Sequence, residues 1–122
     1  MAKSILVVED NIIIAMVTRK TLLGAGYIVS EILSNGLEAI QEVRRNCPDL
    51  ILMDIQLDEG ADGIQTMIEI KKICSAPVIY LTGNSELRSK EQASVSGFSG
   101  FLIKPVQPRE LLIMIEKVIG KA

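Results

Sequence analysis

Glu9, Asp10, Asp54, Thr82 and Lys104 are the residues whose types and positions suit chemistry, because each lies at the end of a short apolar run. The runs are Ile5-Leu6-Val7-Val8, Leu50-Ile51-Leu52-Met53, Val78-Ile79-Tyr80-Leu81 and Phe101-Leu102-Ile103. Neighbouring carboxylates such as Glu9 and Asp10 repel unless a cation neutralises them. Mg²⁺ suits one or two carboxylates completed by waters and phosphate oxygens. An aspartate ending a wholly apolar run is either a loop-start residue or a nucleophile able to form an acyl phosphate. Lys104 precedes Pro105, which holds its backbone extended; its ammonium is either solvated or turned inward onto a carboxylate or phosphate. Singly, each residue has a plain reading: Asp10 or Asn11 as a helix cap, Thr82 as an ordinary strand end. Gathered at one sheet edge, they describe a site for a divalent metal and a phosphoryl group.

The elements that must gather them follow from the pattern. Apolar runs alternate with helix-like stretches five times: strands over Ser4–Val8, Ile28–Leu33, Leu50–Met53, 77–81 and Phe101–Ile103, and helices over about 11–23, 37–46, 64–73, 86–95 and from Pro108 onward. Gly24 and Gly26 close the first helix, as glycine beyond a last turn commonly does. Leu37, Ile40 and Val43 fall on one face of the second, and Ile64, Met67, Ile68 and Lys71 give the third one apolar stripe. Continuous apolar strands are covered on both faces, so the alternation predicts an α/β, doubly wound parallel sheet with helices on either side. Such sheets bind ligands at the carboxyl ends of their strands, where the strand order reverses. The five residues sit at those ends.

Bulk properties narrow the class. The chain of 122 residues and formal net charge −2 reads as a single domain over 1–122, and an acidic balance argues against nucleic acid as its direct partner. No apolar stretch approaches the roughly 20 residues that span a bilayer. No cleavable leader pattern precedes the first strand, which gives a cytoplasmic expectation with no membrane contact. Cys47 and Cys74 lack paired metal-ligand spacing and read as small buried or half-buried thiols of a reducing compartment, with a redox role as a distant second reading. With no histidine, no imidazole serves as base, ligand or phosphate carrier. Ile12 to Val17 are apolar without a break, more than one core-facing side of a helix can use; self-association or an interdomain contact is expected there.

Five stretches together, ILVVEDN at 5–11, DLILMDIQL at 49–57, DGI at 62–64, PVIYLTG at 77–83 and GFLIKP at 100–105, make the chain resemble the receiver domain of two-component response regulators, the CheY-like superfamily. The resemblance covers essentially the whole chain. It implies a flavodoxin-like sheet of five strands in the order 2-1-3-4-5 with five flanking helices, and a signalling switch, not an enzyme beyond its own phosphorylation and dephosphorylation. By resemblance Asp54 is the phosphoacceptor. Glu9, Asp10, Asp54 and the backbone carbonyl of Gln56 hold Mg²⁺, with Mn²⁺ as the alternative ion. Thr82 is the switch hydroxyl, Phe101 the switch aromatic, and Lys104 the lysine before a cis Pro105. The implied partners are a histidine kinase or phosphotransfer protein, then an effector domain or second copy. The fourth helix, fifth strand and last helix form the implied output face.

The chain departs from the family pattern in its loop over 57–63, which lacks the usual proline and is one residue longer. Gln56 and Asn84 occupy positions that tune acyl phosphate lifetime in the family. Two enzyme or carrier readings fit less well. A phosphatase of the haloacid dehalogenase type needs a second acid two residues beyond its nucleophile, where this chain has Gln56. A flavin carrier needs a glycine- and hydroxyl-rich phosphate loop, where this chain has Glu9-Asp10-Asn11-Ile12. A receiver-like docking module that is never phosphorylated is the remaining alternative.

Overall fold

The computed structural model describes residues 2–57, 62–83 and 97–122. Strands β1 (Ser4–Val8), β2 (Ile28–Leu33), β3 (Leu50–Asp54), β4 (Val78–Thr82) and β5 (Gly100–Ile103) form one sheet in the order β2-β1-β3-β4-β5, with every pair parallel. The described helices are α1 (Ile12–Gly24), α2 (Gly36–Arg45), α3 (Gly63–Ile70) and α4 (Pro108–Ile119). The helix expected over 86–95 and the tuning position Asn84 lie outside the described residues, as does most of the long loop.

The pleat divides the central strands between two cores, since successive side chains point to opposite faces. Leu6, Val8, Ile51, Met53, Val78 and Tyr80 meet the side chains of α2 and α3 on one face. Ile5, Val7, Leu50, Leu52, Ile79 and Leu81 meet Leu22, Leu111 and Ile115 of α1 and α4 on the other. Burial on both faces is why β3 and β4 read as unbroken apolar runs.

Local chemistry fixes the helix ends. Asn11 Oδ1 accepts the Ile13 and Ile14 N–H groups, at 3.0 and 3.1 Å, and so caps α1. At its far end Ala25 is the C-cap and Gly26 adopts φ 93°. Gly26 N–H then donates to Leu23 O and Tyr27 N–H to Leu22 O, both at 3.1 Å. That double closure needs a left-handed residue at Gly26, which glycine supplies without a Cβ penalty. Tyr27 also donates its hydroxyl to Gly120 O at 2.9 Å, and Lys3 Nζ donates to Ile119 O. The end of α4 is thereby tied to β2 and the first strand.

Three details differ from the sequence reading. On α2 the buried face is Gly36, Ala39 and Val43, with Leu37 exposed; a small face lets α2 approach α3, and a Cβ on Gly36 would meet Thr66 Oγ1 at 2.1 Å. On α3, Ile64, Thr66, Met67 and Ile70 face inward while Ile68 is over a third exposed. The third correction concerns Cys47 and Cys74, which are joined as a disulfide with Cα atoms 5.8 Å apart and are not separate thiols. Ile51 of β3 registers with Val78 of β4, and each cysteine lies four residues before its registered partner, so parallel pairing alone brings the two together. The unbroken apolar start of α1 does face solvent in part, with Ile12 65% and Ile13 73% exposed.

Candidate functional site

Strand order decides which side chains meet. β1 and β3 are neighbours in register Val8↔Met53, so Glu9 and Asp54 occupy adjacent next positions at the carboxyl edge. Asp54 registers with Leu81 and Thr82 with Ile103, and Lys104 N–H donates to Thr82 O at 2.7 Å. The strands that supply Glu9, Asp54, Thr82 and Lys104 are thus contiguous. Asp10 begins the turn into α1, and the β1–β3 boundary is where the chain switches direction across the sheet.

Glu9 and Asp54 are each only 3% exposed. Lys104 Nζ lies 2.7 Å from Glu9 Oε1 and 3.0 Å from Asp54 Oδ2, its stem reaching over β4. The other oxygens are held from the backbone. Gln56 N–H donates to Asp54 Oδ1 at 3.0 Å, and Asn11 N–H to Glu9 Oε2 at 3.2 Å. Both carboxylates are therefore fixed in orientation before any ligand arrives. The Lys104–Pro105 peptide is cis.

The charges do not balance. Burial first, and then the neighbouring Asp54, push the Glu9 carboxyl up from 4.5 to about 7, with Lys104 and the Asn11 N–H pulling the other way. Burial acting alone lowers the pKa of the Lys104 ammonium, but its pairs with Glu9 and Asp54 outweigh that and hold it above its ordinary value. Two buried carboxylates, Glu9 and Asp54, share the Lys104 ammonium, which leaves negative charge in excess between them. Glu9 Oε1 is buried and accepts no well-angled hydrogen bond, although the Lys104 ammonium is 2.7 Å away; we take that contact as an ion pair without a directed donor. Ligand oxygens of Glu9, Asp10 and Asp54 all lie within 4.8 Å of one another. A hard divalent cation fits this donor set, being oxygen-only, over-acidic and provided with an undirected buried oxygen.

Thr82 is fully buried at the end of β4. Phe101 registers with Tyr80, two residues before Thr82, so the two proposed switch residues share one face of the sheet. Phe101 is partly buried against the α2–α3 core, its ring centroid 5.8 Å from Phe98, whose ring stands edge-on to Tyr80 at 6.2 Å.

One residue of the site had only a motif to mark it. Gly63 opens α3, and its N–H donates to Ile55 O at 2.9 Å. A Cβ there would lie 2.2 Å from Asp54 O and 2.9 Å from Ile55 Cα. The spacing Asp54…Gly63 signals a glycine after a loop; that the glycine presses on the backbone of Asp54 itself is visible only in three dimensions. Asp62 caps the same helix, Oδ1 accepting Gln65 N–H at 2.9 Å.

Residues 5–116 match the family model for the response regulator receiver domain. The chain is 37% identical over 117 residues to the transcriptional regulatory protein ZraR of Klebsiella oxytoca, covering 95% of this chain and 26% of that protein. It is 31% identical over 119 residues to the chemotaxis protein CheY of Thermotoga maritima, covering 97% of this chain and 98% of that protein. The chain therefore spans well under two-thirds of some relatives, 6% in the case of hybrid signal transduction histidine kinase B of Dictyostelium discoideum. Among solved structures, the signal receiver domain of a modulated diguanylate cyclase from Desulfovibrio desulfuricans G20 superposes with TM-score 0.90 at 31% identity, covering 98% of this chain and 94% of that one.

Proposed function

The chain belongs to the response regulator receiver domain family, and from that premise we propose that it takes a phosphoryl group onto Asp54 and relays the change to its output face. The observation that carries this reading is the contact of Lys104 Nζ with both Asp54 Oδ2 and Glu9 Oε1, at 3.0 and 2.7 Å, inside an over-acidic cluster at the strand ends. A solvated lysine or a capping aspartate would need no such convergence.

The donor is a phosphohistidine on a histidine kinase or phosphotransfer protein. An Asp54 oxygen attacks phosphorus; the O–P bond forms as the P–N bond breaks, and the imidazole leaves with the bonding pair and takes a proton from water. Asp54 is restrained by Gln56 N–H and Lys104, so attack needs little rearrangement of the nucleophile. The main demand is electrostatic, because phosphoryl oxygens enter an acidic pocket. Lys104 offsets part of that charge. Glu9, Asp10 and Asp54, with the Gln56 carbonyl, would hold Mg²⁺, which when bound supplies charge neutralisation at the phosphoryl oxygens. Hydrolysis of the acyl phosphate resets the domain at the same residues.

The product adds charge and acceptor oxygens at the end of β3. Thr82, one register step beyond the Leu81 partner of Asp54, is the hydroxyl suited to bond one of them. Its displacement would reach Phe101 through the shared sheet face, biasing a two-state surface.

Intact mass after incubation with acetyl phosphate and Mg²⁺ tests the assignment. A gain of one phosphoryl group is expected in wild type, with none in Asp54→Ala or after chelation of the metal. A gain in Asp54→Ala, or no gain in wild type from acetyl phosphate and several phosphohistidine donors, would overturn it and favour a docking module.

A further inference from the structure

At the edge of the sheet opposite the carboxylate cluster, Cys47 and Cys74 close a ring whose ends are 27 residues apart in sequence. The ring contains β3, Asp54, the loop that follows it and all of α3. Nothing in the phosphoacceptor reading uses this bond. Its two sulfurs differ in access, since Cys47 is exposed at the end of α2 while Cys74 is only 6% exposed. Four cations flank the pair in sequence: Arg44 and Arg45 stand three and two residues before Cys47, Lys71 and Lys72 three and two before Cys74. Lys71 Nζ donates to Ala76 O at 2.8 Å, holding that basic turn in place, and Glu42 answers Arg45. Glu69 likewise answers Lys72 at 3.1 Å, which leaves Arg44 and Lys71 as the cations with no acidic partner among the described residues, and these favour the approach of an anionic thiol.

We propose that Cys47–Cys74 is an exchangeable disulfide, opened at the Cys47 sulfur by a low-molecular-weight anionic thiol of the glutathione class, and that its state sets how firmly the β3–α3 segment is held. The thiolate of the small molecule attacks Cys47 Sγ. The Cys47–Cys74 bond breaks, and Cys74 leaves as a thiolate that takes a proton from water. A second small thiolate then attacks the outer sulfur of the mixed disulfide, releasing the Cys47 thiolate and an oxidised small-molecule dimer. Two electrons pass from two small thiols to the protein disulfide, and the reverse sequence with the oxidised dimer restores the bond. In a reducing compartment the dithiol is the resting form.

The ring explains why the exchange has a consequence. α3 is held at its start by Gly63 N–H on Ile55 O and by the close fit of Gly36 against Thr66. At the other end the disulfide ties the turn after α3 to the turn before β3. Opening it releases one end of the unit. For a loop of this length, chain entropy predicts that reduction shifts the unfolding equilibrium about 10²–10³-fold toward the unfolded chain.

Single-cysteine variants and the wild-type protein test this together. The native Cys74→Ala protein, incubated with oxidised glutathione, should gain one glutathionyl group by intact mass; native Cys47→Ala should gain none until denatured. Oxidised wild type, alkylated in denaturant without reductant, should show no free thiol, and both thiols after millimolar reduced glutathione. Its urea midpoint should drop on reduction, while that of Cys47→Ala should not respond to reductant. Two free thiols in wild type even after oxidised glutathione would overturn the proposal. Equal modification of both single-cysteine variants in the native state would overturn the access argument, and an unfolding equilibrium moved less than about threefold by reduction would overturn the effect on the segment. None of these readouts depends on phosphorylation of Asp54, so either reading can fail without the other.

Discussion

Replacing Gly63 by alanine should disable phosphorylation without touching a charged group. Gly63 is not at positive φ, so alanine is conformationally welcome in this first turn of α3, and helix propensity alone would predict a small gain. Space forbids it. The new Cβ would fall 2.2 Å from Asp54 O, against the 3.0 Å below which real Cβ contacts essentially do not occur. Either the Asp54 carbonyl or the start of α3 must therefore move by about 0.8 Å. β3 is buried along its whole length between paired strands, so α3 gives way first, at the expense of the Gly63–Ile55 hydrogen bond. Overpacking of this kind costs about 1–3 kcal/mol. The part of that ~0.8 Å which α3 does not take up falls on Asp54, where a full misplacement of about 1 Å would cost ~10²-fold in rate. The assay is the rate of mass gain from acetyl phosphate at saturating Mg²⁺, beside a urea unfolding curve. The expected result is a rate reduced at least ~10-fold with a measurably lower midpoint. A Gly63→Ala protein that unfolds and phosphorylates like wild type would refute the close-contact reasoning. One that is destabilised yet reacts normally would locate the strain in α3 and not at Asp54.

Lys104→Met removes the only cation contacting Glu9 and Asp54 among the described residues and should destabilise the metal-free protein by roughly 3 kcal/mol, as for breaking a buried pair, with millimolar MgCl₂ recovering much of the loss; equal urea midpoints for variant and wild type without metal would contradict this. Because the folded Glu9 carboxyl holds its proton up to about 7 and the unfolded one releases it near 4.5, the native state binds the extra proton between those values, and metal-free stability should fall as pH rises through that window. Excess Mg²⁺ or Glu9→Gln should flatten that slope, read from urea midpoints across the window; an unchanged slope in both would refute the role of Glu9. Asn11→Ala deletes the α1 cap bonds to Ile13 and Ile14 and should cost about 1 kcal/mol by denaturant unfolding, leaving the phosphoryl mass gain intact.

Much of the site was legible because a parallel sheet converts sequence position into spatial position. Once each apolar run is a parallel strand, the residue after it must stand at one edge, and Glu9, Asp54, Thr82 and Lys104 follow without knowledge of side-chain geometry. What stayed hidden depends on register and on small volumes. The Cys47–Cys74 bond is a register fact: only the pairing Ile51↔Val78 shows that both cysteines are at the same height. Leu37 misled the helical-face reading because periodicity rewards size, whereas α2 turns its small residues, Gly36 and Ala39, toward α3. Gly63 reads as loop punctuation until the distance to Asp54 O is known.

The division of the core into two layers has a use in spectroscopy. The chain has two tyrosines and no tryptophan, and both tyrosines are at least 97% shielded, Tyr27 being 3% and Tyr80 0% exposed. Tyr80 belongs to the layer beneath α2 and α3, next to Phe98 and Phe101; Tyr27 belongs to the layer beneath α1 and α4. Each face of the sheet thus carries one tyrosine in a fixed asymmetric setting. Aromatic signals in the near ultraviolet or by proton resonance, resolved with Tyr27→Phe as the reference, report the two layers separately without an added label.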